Sequence, residues 1–548
     1  MENTFPIEKL NSLAFGSVDG FRDNELENTF IKTRFVNRFL QDKHSIIIGP
    51  MGSGKSALFQ LLKNKSEKMG IFQNKTIVSI DEIIPFSNIK KFATSLSSID
   101  EKQIYQFIWK FHITQKISEK ISNEKNFPKS TVEHEINNFL QLIKSKEYNE
   151  SIIGKLSGLL HHSSFRLKTK IANTPIDIEA SINKNIKTKE TIHLDKILEL
   201  CLKSTKERKM DNILVIIDKI DAFVAGEEYH TQRKYIEALL EVDDDMIISY
   251  PNIGHKIFLR RDLYARLNFE RLGLDKVQDN TLHIKWTQTE LIYFLGSRIK
   301  NALGKENILN DKDIRKGTLF EKIKEEGRLH KFIKYHPYIP LYIKKLFFNI
   351  NSSNKERKDV SLKEKYMKLV ITKVFPNSLI HKNDKCKEER IDIFSFFATH
   401  FFNAQNEVSP RNLLIFLKKV NDYAITYYDE NRDKQANLVY INNKPEWNLY
   451  KYDFIYKAYT QSIKEFTRTI ATTEHKWSKY FSIFLKKRGR RKVFTFSWIK
   501  EQTDLNDKDA AIFCVYLEYI GFLYVSEEHD DIKKRKYQLP IMYMPQCK

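Results

Sequence analysis

Long apolar runs are missing from this sequence, which argues against a membrane-spanning protein. A bilayer span needs about 20 consecutive apolar residues. The longest candidate runs, Ile213–Ile217 and Ile393–Phe402, are short or interrupted by polar residues. The first ten residues already carry three charges and contain no apolar signal core. We therefore expect a cytoplasmic protein with no membrane partner.

Cysteine is scarce. The chain has four, at positions 201, 386, 514 and 547. Their spacing matches neither a metal-ligand set nor a disulfide framework, so we expect reduced thiols. The sequence also offers no nuclease metal cluster and no Ser/His/Asp order typical of a hydrolytic triad. It contains no internal repeat and no long low-complexity tract.

Acidic residues are fewer than basic ones, and the net charge is +22 with a pI of about 9.4. Such a balance favours acidic partners, nucleic acid first. However, Lys, Asn and Ile are all abundant together, a bias that AT-rich codons produce without selection for binding. The positions of the charges must therefore decide what they mean.

The apolar pattern predicts a parallel α/β sheet followed by a helical region. Five strand candidates are separated by helices, one of them at about Thr231–Leu240, which implies a three-layer α/β/α domain. The strand candidates are His44–Ile48, Thr76–Ile80, Ile213–Ile217, Lys256–Arg260 and Leu282–Ile284. An alternating pattern over residues 164–183 predicts an inserted β-hairpin. Beyond Trp286 the pattern is almost wholly helical to about Leu485.

The segment after the first strand fits G-x-x-x-x-G-K-[ST] at every fixed position. Glycines let backbone N–H groups converge on phosphate oxygens, and the following helix N-terminus adds favourable potential. The lysine reaches the β- and γ-phosphates and the serine hydroxyl binds Mg²⁺. We therefore predict an ATP·Mg²⁺ site. Its residues are Gly49, Pro50, Met51, Gly52, Ser53, Gly54, Lys55, Ser56 and Ala57.

ATP hydrolysis needs a second group, an acidic residue at the end of a buried strand that holds the magnesium. Asp218 follows the apolar strand Ile213–Ile217 and is predicted to fill this role. Asp221 lies three positions later, where it either orients or deprotonates the attacking water or caps the next helix. Lys219 stands where hydrolytic ATPases often have a glutamate, which predicts slow turnover.

Two arginines are candidates for sensing the nucleotide. Arg260 ends the strand next to the Asp218 strand, where it reaches the terminal phosphate or is an ordinary surface charge. Arg411 follows Ser409 and Pro410, a good helix start with serine at the N-cap and proline at the first position. It either points from a helical lid into the nucleotide cleft or is a solvated arginine.

The order of these parts resembles the STAND and origin-recognition branch of the AAA+ ATPases, above all bacterial STAND-like P-loop ATPases of anti-phage defence islands. The resemblance covers most of residues 14–470. It rests on Phe15–Ser17, Asp23–Leu26, Phe258–Leu263, Trp286–Leu291 and Ser409–Leu413. It implies that Arg260 and Arg411 are nucleotide sensors, and that ADP holds a closed monomer while ATP permits homo-oligomerisation. Unlike STAND proteins, this chain shows no long sensor repeats and no toxic effector, so any effector would be a separate chain.

The C-terminal segment is predicted to be a winged helix with two basic clusters, Lys486–Lys492 and Lys533–Lys536. Such clusters suit non-specific contacts to duplex DNA. The helix that would enter the major groove begins with Asp507 and Asp509 and is otherwise apolar, so it lacks the side chains that read base edges. Binding to a protein is the alternative.

Taken together, these patterns predict a P-loop ATPase domain of AAA+/STAND-like type, a helical lid and a winged helix. We place the ATPase domain at residues 1–286, with an insertion at about 85–192, the lid at 287–480 and the winged helix at 481–548. The leading hypothesis is an ATP-hydrolysing conformational or oligomeric switch, in which Arg266 and Arg271 are candidates to act on a neighbouring protomer. The alternatives are a DNA-binding adaptor with structural ATP and a P-loop phosphotransferase.

Overall fold

The computed structural model groups the chain into two compact units. One unit is Arg34–Ile284, and the other combines Met1–Thr33 with Lys285–Lys548. The structure describes residues 9–41, 43–82, 89, 99–124, 130–143, 165–171, 174–179, 190–223, 227–265, 267–268, 273–306, 352–382, 388–431, 439–441, 444–446, 449–473 and 475–544. The three-domain division made from the sequence stays a prediction.

The described residues form the following elements. The strands are β1 Ile46–Gly49, β2 Thr76–Ile80, β3 Phe165–Ile171, β4 Thr174–Glu179, β5 Glu190–His193, β6 Ile213–Ile217, β7 Ile253–Arg260, β8 Thr281–His283, β9 Ser378–Lys382, β10 Glu388–Asp392, β11 Val439–Ile441, β12 Lys444–Glu446, β13 Val493–Thr495, β14 Tyr524–Glu527 and β15 Lys536–Gln538. The α-helices are α1 Leu26–Thr29, α2 Arg34–Phe39, α3 Lys55–Lys63, α4 Glu101–Asn123, α5 Glu133–Ile143, α6 Leu194–Glu207, α7 Ile220–Phe223, α8 Tyr229–Ser249, α9 Arg261–Tyr264, α10 Leu274–Asp279, α11 Gln288–Lys305, α12 Ser352–Val374, α13 Ile393–His400, α14 Pro410–Glu430, α15 Tyr452–Thr473, α16 His475–Lys487, α17 Phe496–Thr503 and α18 Asp507–Tyr519. Short 3₁₀ segments are Gly20–Arg22, Glu67–Asn74, Ile532–Lys534 and Ile541–Tyr543.

The Arg34–Ile284 unit is built on a five-stranded parallel sheet with the order β2-β6-β7-β1-β8. All five strands predicted from the sequence are present. The residues of β1 and β6 are buried throughout, as expected of central strands covered on both faces. Because β7 lies between β1 and β6, the carboxyl ends of these three strands are neighbours.

Helices cover both faces of this sheet, which confirms the predicted three-layer α/β/α architecture. On one face, the ring of Phe258 packs against Phe39 of α2 and Phe59 of α3. On the other face, Ile46 and Ile48 belong to a core that includes Trp109 of α4 and Tyr235 of α8. The alternation of side chains along each strand separates these two cores.

The predicted hairpin is present, and it forms a sheet of its own. Strands β3 and β4 pair antiparallel, with Lys170 opposite Pro175 and Ile171 opposite Thr174. Strand β5 adds to β3 in parallel, giving a separate sheet with the order β4-β3-β5.

The described residues of the second unit are mostly helical between Trp286 and Leu485, with two small hairpins among them. Strand β9 pairs antiparallel with β10, and β11 pairs antiparallel with β12. The expectation of an almost wholly helical pattern from Trp286 to Leu485 missed both hairpins, because their strands are only three to five residues long. Among the described residues, no helix combines the length and apolar character that crossing a membrane would require.

The C-terminal part of this unit has the order of elements expected of a winged helix. Strand β13, helices α17 and α18, and the strands β14 and β15 follow one another, and the sheet order is β13-β15-β14. The ring of Phe484 packs against Phe494, Trp498 and Phe522 and so joins α16 to this sheet and its helices.

A buried ion pair ties the N-terminal segment to α11. The Nη2 atom of Arg298 lies 2.6 Å from Oδ2 of Asp23, and the two side chains are only 4% and 2% exposed. Arg298 also donates to the carbonyl oxygen of Phe15, while the Asp23 carboxylate accepts from the backbone N–H of Ser17. Gly16 has a φ of +96°, and a side chain there would collide with Arg298. The Phe15–Ser17 and Asp23 motifs are therefore one anchoring structure.

We expect the substitution Asp23→Ala to destabilise this unit by about 3 kcal/mol, because it leaves the Arg298 guanidinium buried without its counter-charge. Arg22→Ala is the matched control, since that side chain is 86% exposed and 3.9 Å from its partner Asp19; its effect should stay below about 1 kcal/mol. Urea unfolding followed by tryptophan fluorescence measures both. Equal midpoints for the two variants would show that the buried pair does not stabilise the fold.

Candidate phosphate and magnesium site

The loop between β1 and α3 has the backbone that its glycines predict. Gly52 and Gly54 have φ values of +75° and +104°, in the left-handed region that favours glycine. At Gly49, a side chain would collide with the hydroxyl of Ser53. Residues Pro50 and Ser53 close a turn through a backbone hydrogen bond of 3.3 Å. The loop is therefore tightly curled, with a conformation that requires glycine at these positions.

Helix α3 begins at Lys55, so Lys55, Ser56 and Ala57 occupy its first turn. The ammonium group of Lys55 donates to the carbonyl oxygens of Gly49 at 2.8 Å and Pro50 at 2.9 Å. The residue is only 9% exposed. Burial lowers the pKa of Lys55 most, the positive charge of Arg260 acts in the same direction, and Asp218 and Asp221 oppose them. The resulting pKa is about 8.

This lowered pKa predicts that nucleotide affinity depends on pH. Below about pH 8 the ammonium is charged before the nucleotide binds. Above that pH, binding must bring a proton back to Lys55, because the phosphates favour its charged form. Affinity should therefore fall by up to about tenfold per pH unit above pH 8.

Calorimetric titration with Mg·ADP from pH 6.5 to 9.5 measures this dependence. The variant Lys55→Arg keeps a charged group throughout this range, so its residual affinity should not fall with pH. A fall of the same size in both proteins would exclude Lys55 as the titrating group.

Asp218 lies directly after β6, where the sequence predicts the magnesium-binding carboxylate. It is 4% exposed, and burial raises the pKa of its carboxyl group. The Ser56 hydroxyl and the Lys219 backbone N–H lie close enough to this carboxylate to lower its pKa, against the larger effect of burial. Lys219 has a φ of +63°, so the chain turns sharply at this point. Loop and strand thus bring Ser56 and Asp218 together.

The site fits a magnesium ion. The Oδ2 atom of Asp218 is buried and, within the described part of the chain, has no hydrogen-bond partner. An unsatisfied buried oxygen next to a serine hydroxyl is a donor set suited to a hard cation. The described residues contain no group of three or more His, Cys, Asp and Glu side chains that would hold a metal without a ligand.

Arg260 ends β7 and lies in register with Gly49 of the loop. Its Nη1 atom is 3.3 Å from Oδ2 of Asp221. Its Nε and Nη2 atoms donate to the two carboxylate oxygens of Asp262, at 3.0 Å and 2.5 Å. Arg260 and Asp221 therefore lie close together at the carboxyl edge of the sheet. Their predicted roles toward a nucleotide stay predictions. Asp262 is a member of this group that sequence reasoning missed.

The structure does not test the remaining candidates. Arg411 is the second residue of α14, in the other compact unit, and its approach to the nucleotide stays a prediction. Pro410 occupies the start of that helix as expected, but the side chain of Ser409 makes no capping hydrogen bond. Arg266 and Arg271 lie outside the described residues.

Comparison with known proteins adds little to this geometry. No family model matches the chain, and no curated protein matches it. Among the solved structures, one similar chain is the Orc1 protein of Aeropyrum pernix, solved in complex with DNA. It shares 9% sequence identity with a TM-score of 0.35, over 96% of this chain and 92% of that chain. A likeness at this TM-score carries no argument, so the fold and the site rest on the sheet topology and contacts given above.

Proposed function

We propose that this chain is an ATPase of AAA+/STAND-like type that binds ATP with Mg²⁺ at Gly49–Ala57 and hydrolyses it. One observation carries the proposal: the buried Lys55 ammonium and the buried Asp218 carboxylate lie within electrostatic reach of each other at one sheet edge, with the Ser56 hydroxyl close to the carboxylate. A glycine-rich loop with these groups suits a triphosphate and its metal better than any other ligand.

Each residue has a role in this proposal. The loop N–H groups and Lys55 bind the β- and γ-phosphates, and Ser56 and Asp218 hold the metal. The magnesium ion supplies neutralisation of charge on the phosphate oxygens. Asp221 orients the attacking water and accepts its proton as the oxygen bonds to the γ-phosphorus and the bond to the bridging oxygen breaks. Arg260 contacts the γ-phosphate. Lys219, in place of a glutamate, makes turnover slow.

The cellular role rests on the family resemblance and not on the geometry of the site. We infer a nucleotide-controlled switch in which Arg411 senses the nucleotide from the helical lid and ATP favours a homo-oligomer. A separate effector chain, in a bacterial anti-phage setting, would receive the signal. This inference is supported by the motifs that resemble STAND-like ATPases.

The products formed from γ-labelled ATP test the proposed activity. An ATPase releases labelled free phosphate and ADP in amounts that exceed the protein. A phosphotransferase would place the label on an acceptor, and an adaptor with structural ATP would retain unchanged ATP with or without DNA. Either of these two results would contradict the proposed hydrolysis.

Binding of duplex DNA is a second candidate function, supported by exposed cations before β13. Lys486, Lys487 and Arg490 are exposed. Two other cations of these clusters already have partners within the protein. Arg488 donates to the carbonyl oxygen of Tyr543, and Lys533 pairs with Asp507 at 2.6 Å.

The exposed face of α18 favours contacts to the DNA backbone over readout of bases. Ile512 and Val515 are 43% and 50% exposed on this helix. Apolar side chains do not form the hydrogen bonds that distinguish base pairs. Any DNA contact is therefore assigned to phosphates and to the cluster Lys486–Lys492.

The triple substitution of Lys486, Lys487 and Arg490 by alanine should reduce the salt dependence of DNA binding. For each phosphate that the protein no longer neutralises, the slope of log K against log salt becomes shallower by about 0.9. Fluorescence anisotropy with a labelled duplex at several salt concentrations measures this slope. Lys533→Ala is the control, because Asp507 already pairs with that charge. An unchanged slope in the triple variant would favour a protein partner for this segment.

A further inference from the structure

The guanidinium of Arg260 has two carboxylate partners of unequal strength. Asp262 accepts two hydrogen bonds, from Nε and from Nη2, and its side chain is 11% exposed. Asp221 accepts one bond of 3.3 Å from Nη1, and its side chain is 40% exposed. A bidentate, buried pair fixes the plane of the guanidinium, whereas a single long bond to an exposed carboxylate is weak.

This geometry determines which edge of Arg260 is available to a ligand. Asp262 occupies the Nε–Nη2 edge, so the Nη1 side remains for another acceptor. A carboxylate there is easily exchanged, because a γ-phosphate carries more negative charge and more acceptor oxygens. The position of Asp221 is therefore a place where a phosphate oxygen can substitute.

The same groups lie around the phosphate-binding loop. Arg260 is in register with Gly49. The charges of Asp218, Asp221, Arg260 and Asp262 all act on the ammonium of Lys55. A triphosphate bound by Lys55 therefore enters the electrostatic neighbourhood of the Arg260 network.

We propose that Asp262 is a positioning residue that aims Arg260 at the terminal phosphate of ATP, and that Asp221 holds Arg260 only until that phosphate replaces it. The proposal rests on the proposed ATPase function and goes beyond it. ADP lacks the terminal phosphate and leaves the Arg260–Asp221 pair intact. ATP breaks this pair and so releases the Asp221 carboxylate to accept a proton from water.

Affinities for Mg·ADP and for the Mg²⁺ complex of the β,γ-imido analogue of ATP test this proposal. Asp262→Asn should weaken binding of the analogue by about 10–100-fold, because a misaligned Arg260 loses one charge-assisted hydrogen bond to the terminal phosphate. Binding of ADP should be unchanged. Asp262→Glu should restore part of the loss. Asp221→Asn should tighten binding of the analogue several-fold, leave ADP binding unchanged and lower ATP turnover.

Arg260→Ala separates this inference from the function it rests on. We expect this variant to lose the preference for the ATP analogue over ADP. If it keeps the preference, Arg260 does not contact the γ-phosphate and that part of the proposed function is wrong. If Arg260→Ala loses the preference but Asp262→Asn keeps it, only the positioning role is overturned.

The test stays decisive even if one variant does not fold. Thermal unfolding of Asp262→Asn shows whether the variant is folded. If it is not, Asp221→Asn decides, because its side chain is 40% exposed and its substitution should preserve the fold. Weaker or unchanged binding of the ATP analogue to Asp221→Asn would contradict the proposed exchange of partners.

Discussion

The substitution Lys55→Ala is expected to lower ATP turnover by about 10³–10⁵-fold, the effect of removing a cation that neutralises transferring phosphate oxygens. Lys55 is buried at the start of α3 and its ammonium bonds only to loop carbonyl oxygens among the hydrogen bonds described. In the nucleotide complex we expect the β- and γ-phosphates to take the place of these carbonyls. Phosphate release under saturating Mg·ATP measures the loss.

Lys63→Ala is the matched control for this experiment. Lys63 is the last residue of the same helix, is 38% exposed and pairs with Asp81 at 3.0 Å. Its removal should change turnover by less than about twofold, because a surface ion pair contributes at most about 1 kcal/mol to stability. Equal activity of Lys55→Ala and Lys63→Ala would mean that the loop does not bind the transferred phosphate.

The substitution Asp218→Asn is expected to abolish the strengthening of ATP binding by Mg²⁺ and to reduce turnover by about 10³-fold. The amide keeps the shape of the side chain but removes the charge that attracts the metal. Affinity for ATP in excess chelator should remain, since Lys55 and the loop N–H groups are unchanged. Calorimetric titration with ATP, with and without Mg²⁺, measures both quantities.

Asp81→Asn is a closely matched control. Asp81 follows β2 as Asp218 follows β6, and the last residues of these strands, Ile80 and Ile217, are paired in register. The Asp81 carboxylate is already bonded to Lys63. Its substitution should preserve the effect of Mg²⁺. Loss of the Mg²⁺ effect in both variants would show that general electrostatics, and not metal binding at Asp218, is responsible.

Local chemistry explains why the loop and the Asp218 strand were predictable. The backbone of Gly49–Gly54 requires glycine at particular positions, so the sequence pattern and the conformation are nearly equivalent. A run of β-branched and aliphatic residues ending in aspartate predicts a buried strand with a carboxylate at its end, and β6 has this form. Neither inference required knowledge of distant contacts.

Distant contacts explain what the sequence did not reveal. Helix α8 extends to Ser249 although the pattern predicts an end near Leu240. The acidic residues Asp243 and Asp245 remain in the helix because Ser45 and Lys110 bond to them from far along the chain. The N-terminal segment likewise groups with Lys285–Lys548, since Asp23 pairs with Arg298, 275 residues away.

The contact of Asp262 with Arg260 is local in sequence, yet the sequence did not reveal it. Asp262 lies two residues after Arg260 and accepts a hydrogen bond from its guanidinium. An Arg-Arg-Asp segment leaves open which arginine bonds to the carboxylate, and only the start of α9 directly after Arg260 decides it. The signal in the sequence that could have predicted this contact is a carboxylate in the first turn of a helix that directly follows a buried strand ending in arginine.

The most direct test of the account is a structure of the protein with the β,γ-imido analogue of ATP and Mn²⁺, in which anomalous scattering locates the metal. We predict a triphosphate against the N–H groups of Gly49–Ser56, and a Mn²⁺ peak at Ser56 on the side facing Asp218. The Lys55 ammonium should have left the carbonyl oxygens of Gly49 and Pro50 for the phosphates. A nucleotide bound elsewhere, with Lys55 still bonded to these two carbonyls, would contradict the account.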